Sequence, residues 1–434
     1  GVQSTNLVLA GGTFTDITEG TGALFGQTLW TGGQFAGTFA HRGVLTVAPT
    51  GRTAFTDGTA FVNTGTVQGA GTILATNATF SNKGIVEGVM LTAAGPGSAL
   101  PVFNNGDGGG IVGLYRRDPA VPTNTVGRVQ FNDKEGTIDA NGGVIDFAGG
   151  HAAFFATKFV GDGTVLISSD ASFGGIGVQS TNLVLAGGTF TDITEGTGAL
   201  FGQTLWTGGQ FAGTFAHRGI LAVAPTGRTA FADGTKFINS GTVQGAGTIF
   251  ATNATFNNSG VIIPGAPFGR LNLGGDLNQS GTLRLKIGGA TSNQFGSLSV
   301  FGTLSLGGTL GVALTNGFMP EPGSEFPIIS CSKLNGKFAS LSLPFGMSAI
   351  YSDTGVTLKM EGSAPVQIFD PTFTEGKFGF SFDTENGLNY VVQQNDDLTS
   401  SNWLFYTNIP GNGLPIQIFL PVTNNQGFFR LLAP

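Results

Sequence analysis

Residues 61–67 read Phe-Val-Asn-Thr-Gly-Thr-Val and return as residues 80–86, Phe-Ser-Asn-Lys-Gly-Ile-Val. The frame is already present upstream as Phe39-x-His41-x-Gly43-x-Leu45, so Phe39, Phe61 and Phe80 stand 22 and 19 residues apart, followed by Gly43, Asn63-x-Gly65 and Asn82-x-Gly84. A period near 20 with Phe, Asn, Gly and an aliphatic residue at fixed offsets is what a coiling β-chain needs. Each turn must bend at one place and fill one interior slot. The spacing predicts a β-solenoid, with Gly supplying positive φ at a corner, Asn bonding its own backbone there, and Phe stacking on Phe at about 4.8 Å.

The pattern is duplicated on a larger scale. Residues 1–86 align without a gap onto 177–262, with 75 identities in 86. The frame recurs at Phe215 and Gly219, at Phe237, Asn239 and Gly241, and at Phe256, Asn258 and Gly260, with a looser version at Phe159, Gly161, Gly163 and Val165. Exchanges such as Val44 to Ile220 keep apolar character and predict interior positions, whereas Ala60 to Lys236 predicts surface. A second register links Gly11-Gly12-x-Phe14 to Gly32-Gly33-x-Phe35.

Composition agrees with an all-β chain. Of 434 residues, 74 are Gly and only 10% are charged, while Thr, Val, Ile and 38 Phe fill the intervals between glycines. The net charge of -7 leaves no basic surface for phosphates, which argues against nucleic acid and anionic membranes as partners. The single Cys331 forbids an internal disulfide and a cysteine-based metal cluster. No apolar run is long enough to span a membrane, and a chain that starts at Gly1 without Met points to a removed signal peptide.

The expected organisation is a solenoid over 1–262 interrupted by an excursion at about 87–158, where Pro, Gly and charge concentrate. From Ile263 the alternation is strict, as in half-buried antiparallel strands, and predicts a terminal module over 263–361 that caps the solenoid. Ser363-Ala364-Pro365 reads as a linker. Alternating Phe378, Phe380 and Phe382, with turn clusters between later runs, predict a small β-sandwich over 365–434.

Several motifs resemble the secreted, repeat-rich surface proteins of Gram-negative bacteria with autotransporter-passenger-like solenoids. They are Asn257-Asn258-Ser259-Gly260, Pro264-Gly265, Gly269-x-Leu271, Gly281-Thr282-Leu283, Gly308-Thr309-Leu310 and Asn316-Gly317-Phe318. The likeness covers about 60–360. Where the family pattern has Gln-Tyr-Asp-x-Leu, this chain has Gln294-Phe295-Gly296-Ser297-Leu298. The stretch GLNYVVQQNDDLTSSNW and the closing GFFRLL look like the small β-domain that ends many such proteins. The resemblance implies secretion to the cell surface or the extracellular space.

Chemistry-bearing residues are few. Asp16 with Glu19, repeated as Asp192 with Glu195, is the best carboxylate pair for a β-helix polysaccharide lyase or hydrolase, although solvated turn residues explain it as well. His41 and His217 occupy the repeat position held by Asn in neighbouring coils and read as corner substitutes; His151 is the third histidine. The segment 104–110, Asn-Asn-Gly-Asp-Gly-Gly-Gly, offers Asp107 to calcium without the regular Asp spacing of calcium repeats. Tyr115, Arg116 and Arg117 on the expected excursion, and Trp403 with Tyr406 in the last domain, are the candidate contacts to a glycan or partner. Trp30 and Trp206 read as core, and Asn77 and Asn253 open Asn-x-Thr acceptor sequences. No cofactor, metal centre or catalytic set is expected.

The functional expectation is a non-catalytic extracellular structural protein. Its N-terminal coil lacks the preceding coil that its twin at Gly177 has, so self-association head to tail into a fibre is the leading reading. The alternatives are an adhesin stalk presenting a glycan-binding β-domain and the carbohydrate-cleaving enzyme.

Overall fold

The computed structural model describes residues 2–17, 23–175, 177–194, 196, 200–361, 366–399, 403–421 and 426–432. Among them every regular element is a β-strand, and most belong to one parallel solenoid. Each coil lays down three strands. Ala60–Asn63, Thr66–Gln68 and Thr72–Ala75 are followed by Thr79–Asn82, Ile85–Glu87 and Met90–Ala93, each pairing in parallel with its counterpart one coil back. Along each strand the side chains alternate between the interior and the surface, so Phe61, Val67 and Ile73 form one layer of a three-sided core. Phe80, Val86 and Leu91 form the next, with the Phe61 and Phe80 rings 5.1 Å apart.

The repeat glycines are required for a different reason from the one the spacing suggested. Gly43, Gly65, Gly84, Gly219, Gly241 and Gly260 do not have positive φ. They sit where one coil's backbone runs against the next. A Cβ on Gly65 would lie 2.2 Å from the Gly43 carbonyl oxygen, and one on Gly84 would lie 2.2 Å from that of Gly65. Only a residue without a Cβ lets the coils close to ladder distance there.

Residues 87–158 are not an excursion. Phe80, Phe103, Phe131, Ala152 and Ala171 continue one parallel register, and Val86, Tyr115, Ile138 and Phe159 continue another. The Pro, Gly and charge fall in turns lengthened to carry them, while the strand residues between keep their inward apolar partners. The third side is broken once: among the described residues Met90–Ala93 and Thr123–Val126 make no ladder. The break is bridged by the Ala93 amide donating to Arg128 O at 3.1 Å and the Thr92 hydroxyl to Gly127 O at 3.0 Å.

The expected antiparallel module over 263–361 is also corrected. Gly269–Leu273, Asp276–Gln279, Thr282–Ile287, Gly296–Leu306 and Thr309–Leu314 remain parallel coil strands. A solenoid strand with one buried face alternates just as an antiparallel strand does, so alternation alone could not separate them. Antiparallel ladders join the start of Glu325–Gly336, a strand that further along still pairs in parallel with Gly296–Leu306, to Gly355–Met360 and that strand to Met347–Ser352, closing the end of the coil over Phe326, Ile328 and Leu358. The linker Ser363-Ala364-Pro365 lies outside the described residues. Beyond it, two three-stranded antiparallel sheets enclose a separate core of Phe380, Phe382, Tyr390, Val392 and Leu420.

The duplication does not contain a whole number of turns. Phe14 stands in line with Phe35 and Phe55. Its twin Phe190 stands in line with Ala171, Ala152, Phe131, Phe103, Phe80, Phe61 and Phe39, on another side of the rod. The second copy is therefore turned by one side of the three-sided coil relative to the first.

Candidate functional sites along the solenoid

The most organised polar feature lies inside the coil. His41, Asn63, Asn82, Asn105 and Asp133 occupy successive positions of one register and are all fully buried. His41 Nδ1 is 2.8 Å from Asn63 Oδ1. Asn63 Nδ2 donates to Asn82 Oδ1 at 2.8 Å, Asn82 Nδ2 to Asn105 Oδ1 at 2.7 Å, and Asn105 Nδ2 to Asp133 Oδ2 at 2.6 Å. The second copy builds His217, Asn239, Asn258 and Gln279 in the same way. Asn63 also closes its own turn, accepting from Gly65 N and donating to Gly65 O.

The ladder has a direction, and it dictates which residues can end it. Each asparagine accepts from the coil before and donates to the coil after, whereas Gln279, the last of the second ladder, accepts from Asn258 and leaves its Nε2 without a partner among the described residues. The first member must then be a donor and the last an acceptor. Histidine satisfies the first condition as the Nδ1–H tautomer, because Asn63 Nδ2 is already committed as a donor and Oδ1 can only accept. Asp133 satisfies the last, accepting also from the Thr157 hydroxyl at 2.6 Å and Gly136 N at 3.0 Å. Burial lowers the pKa of His41 and pushes that of His217 down to about 4, so both imidazoles are neutral, and their Nε2 atoms have no partner among the described residues. Burial also pushes Asp133 up to about 6, against the hydrogen bonds it accepts. His41 and His217 are interior ladder heads, not corner substitutes.

The surface candidates divide. Tyr115 is buried against Phe103 and Phe131, and Arg117 is buried with its guanidinium on the carbonyls of Ala140, Asp118, Val121 and Asn141, so neither is available to a ligand. Tyr115 follows Val86 in register, and counting along the coil would have placed it inside. Arg116 points outward and is engaged by Asp139 at 2.9 Å and Glu87 at 3.5 Å on the adjacent coils. Asp107 folds its own turn, accepting from Gly109 N at 2.8 Å, and takes the Lys83 ammonium at 3.1 Å. The Gly109 amide, then Lys83, hold its carboxyl below the usual range.

Asp192 accepts from Thr194 N, Thr194 Oγ1, Gly196 N and Ala216 N, an arrangement that fastens a turn to the next coil. Glu19 and Glu195 lie outside the described residues. His151 faces solvent and meets Ser172 Oγ at 2.9 Å. Among the described residues no three His, Cys, Asp or Glu side chains converge as metal ligands. Trp30 and Trp206 are fully buried, and Asn77 and Asn253 are exposed.

In the C-terminal sandwich Tyr406 turns inward onto Phe429, while Trp403 lies on the outer face with the Arg430 guanidinium 4.6 Å from its ring. Phe405, which the sequence reading passed over, is the exposed aromatic of this strand. Alternation from Trp403 would have found it.

The first coil forms the remaining surface. Val2, Leu7, Leu9 and Phe14 face the interior side, yet Val2 is 55% exposed and the others are only partly buried. Their twins Val178, Leu183, Leu185 and Phe190 are at most 1% exposed. The difference is the coil of Lys158–Val160, Thr164–Ile167 and Ala171–Gly174, which pairs in parallel onto the second copy. No protein-family model matches the chain, and no curated protein is detectably similar to it.

Proposed function

We propose that this chain is a non-catalytic structural element of an extracellular or cell-surface fibre, in which the first coil is seated against a coil of a neighbouring molecule. One observation supports the reading: at 178–192 this sequence takes a parallel β-coil on its apolar face, so the surface that fits its twin at 2–15 is another β-coil, which in this proposal a neighbouring molecule supplies. The complement of that surface is thus a β-coil, supplying ladder hydrogen bonds and an apolar layer together. A contact joining unlike ends propagates instead of closing. The stacked rings and the buried amide ladder suit a load-bearing rod, since each coil is tied to the next by backbone, aromatic and side-chain contacts.

Electron microscopy and sedimentation of the purified protein over a range of concentrations test the proposal. Fibres or concentration-dependent oligomers are expected, and Leu9→Asp combined with Phe14→Lys should abolish them while leaving the monomer folded. A monodisperse monomer at every concentration overturns it.

A further inference from the structure

The outer face of the sheet formed by Asn389–Asn395, Leu404–Pro410 and Phe428–Leu432 carries an organised group that no structural role uses. Phe405 and Arg430 flank Gln393 across the two ladders, so the three form one outward row. Trp403 reaches over the central strand so that its ring covers the Arg430 guanidinium at 4.6 Å. Arg430 Nε donates to Gln393 Oε1 at 2.7 Å, which fixes the plane of the fork. Phe405 is 63% exposed beside it. Arg430 is the only charged residue on these three strands, and among the described residues no carboxylate pairs with it.

From this geometry we propose that the face binds a saccharide bearing a carboxylate. A sugar ring presents a flat C–H face suited to Trp403 and Phe405. The Nη atoms left free by the Nε bond take a carboxylate in forked fashion, and the ring orientation is set in advance because Trp403 and Gln393 hold the guanidinium. Gln393 Nε2 and the exposed Asn408 side chain stand on the same sheet for hydroxyl groups. A purely apolar partner would leave the guanidinium buried and unpaired, a penalty that argues against it.

Titration of the intact protein with tetragalacturonate and with sialyllactose, followed by tryptophan fluorescence and calorimetry, is the test. Trp30 and Trp206 are fully buried, so a change in emission reports Trp403. At least one carboxylated probe should saturate the site and change the emission, whereas maltotetraose should bind at least tenfold more weakly. Arg430→Gln and Trp403→Ala should each weaken binding roughly tenfold or more, the equivalent of about 1.4 kcal/mol. Phe419→Ala, on the other sheet, should not. Absence of saturable binding by both probes, equal binding of maltotetraose, or binding that survives Arg430→Gln in a protein of unchanged melting temperature each overturns the proposal.

Discussion

At the scale of single residues, the buried ladder is the least forgiving part of the molecule. Asn82→Leu would remove the acceptor of Asn63 Nδ2 and the donor to Asn105 Oδ1 together. Asn63 Nδ2 would keep only the carbonyls of Gly65 and Ile85, while Asn105 Oδ1 and the Gly84 amide would lose their Asn82 partner, which should cost about 2–5 kcal/mol, read by chemical denaturation. The ladder heads make a pH prediction whose sign follows from burial. His217 has its folded pKa depressed to about 4, so between the unfolded value of 6.5 and about 4 the unfolded chain holds more protons. Its stabilising contribution is complete above pH 6.5 and is lost as pH falls through that window, by roughly 3 kcal/mol. Asp133 acts oppositely: its folded pKa is raised to about 6, so its contribution is complete below 3.8 and lost as pH rises through 6. His217→Asn keeps a donor toward Asn239 and removes the titration. Relative to wild type, the variant should gain stability progressively from pH 6.5 to 4 and show a flat difference above 7; a flat difference throughout would mean that His217 is not held neutral.

At the scale of the coil, the glycine positions were legible and their reason was not. The fixed spacing of Gly43, Gly65 and Gly84 marks a place where no side chain fits, but a sequence does not distinguish a left-handed turn from a close backbone approach. The two predict different costs. Gly58 has φ +72° with open space around its would-be Cβ, so Gly58→Ala should cost only about 1 kcal/mol of conformational strain. Gly65→Ala would drive a methyl group into the Gly43 carbonyl and should cost about 3 kcal/mol or more. Equal destabilisation of the two variants in denaturant titrations would contradict this account. The Phe columns were readable for the same reason the glycines were, since a filled slot must recur at each turn. The course of 87–158 was hidden because turn length varied while strand pattern did not: Tyr115 and Arg117 sit in the densest charge and proline of the chain and are nevertheless interior. The aromatic face around Trp403 was only half legible, because alternation from Trp403 reaches Phe405, whereas Gln393 and Arg430 join them through pairing across a sheet and not through spacing.

At the scale of the whole molecule, a solenoid is nearly one-dimensional, and its cohesion is set interface by interface. Most coil interfaces carry three parallel ladders. The one between Met90–Ala93 and Thr123–Val126 carries two ladders and the bridging bonds from Ala93 and Thr92, and its interior side is lined by Leu91, Phe103, Val126 and Phe131 around a small void. Unpaired strand edges and an underfilled core lower the free energy of local opening relative to fully laddered coils. Native-state hydrogen exchange should therefore find the amides of Thr123–Val126 less protected than those of Val144–Phe147, which pair on both sides. The same seam should be where denaturant first divides the rod, with the 177–262 copy outlasting it because, among the described residues, each of its strands is paired to the coil before and after. Val126→Ile, which extends a buried side chain toward the void, should raise protection at the seam selectively by roughly 0.5–1 kcal/mol and leave Val144–Phe147 unchanged. Uniform protection across both strands, or a gain spread evenly over the coil, would show that the two remaining ladders already hold this interface as firmly as three.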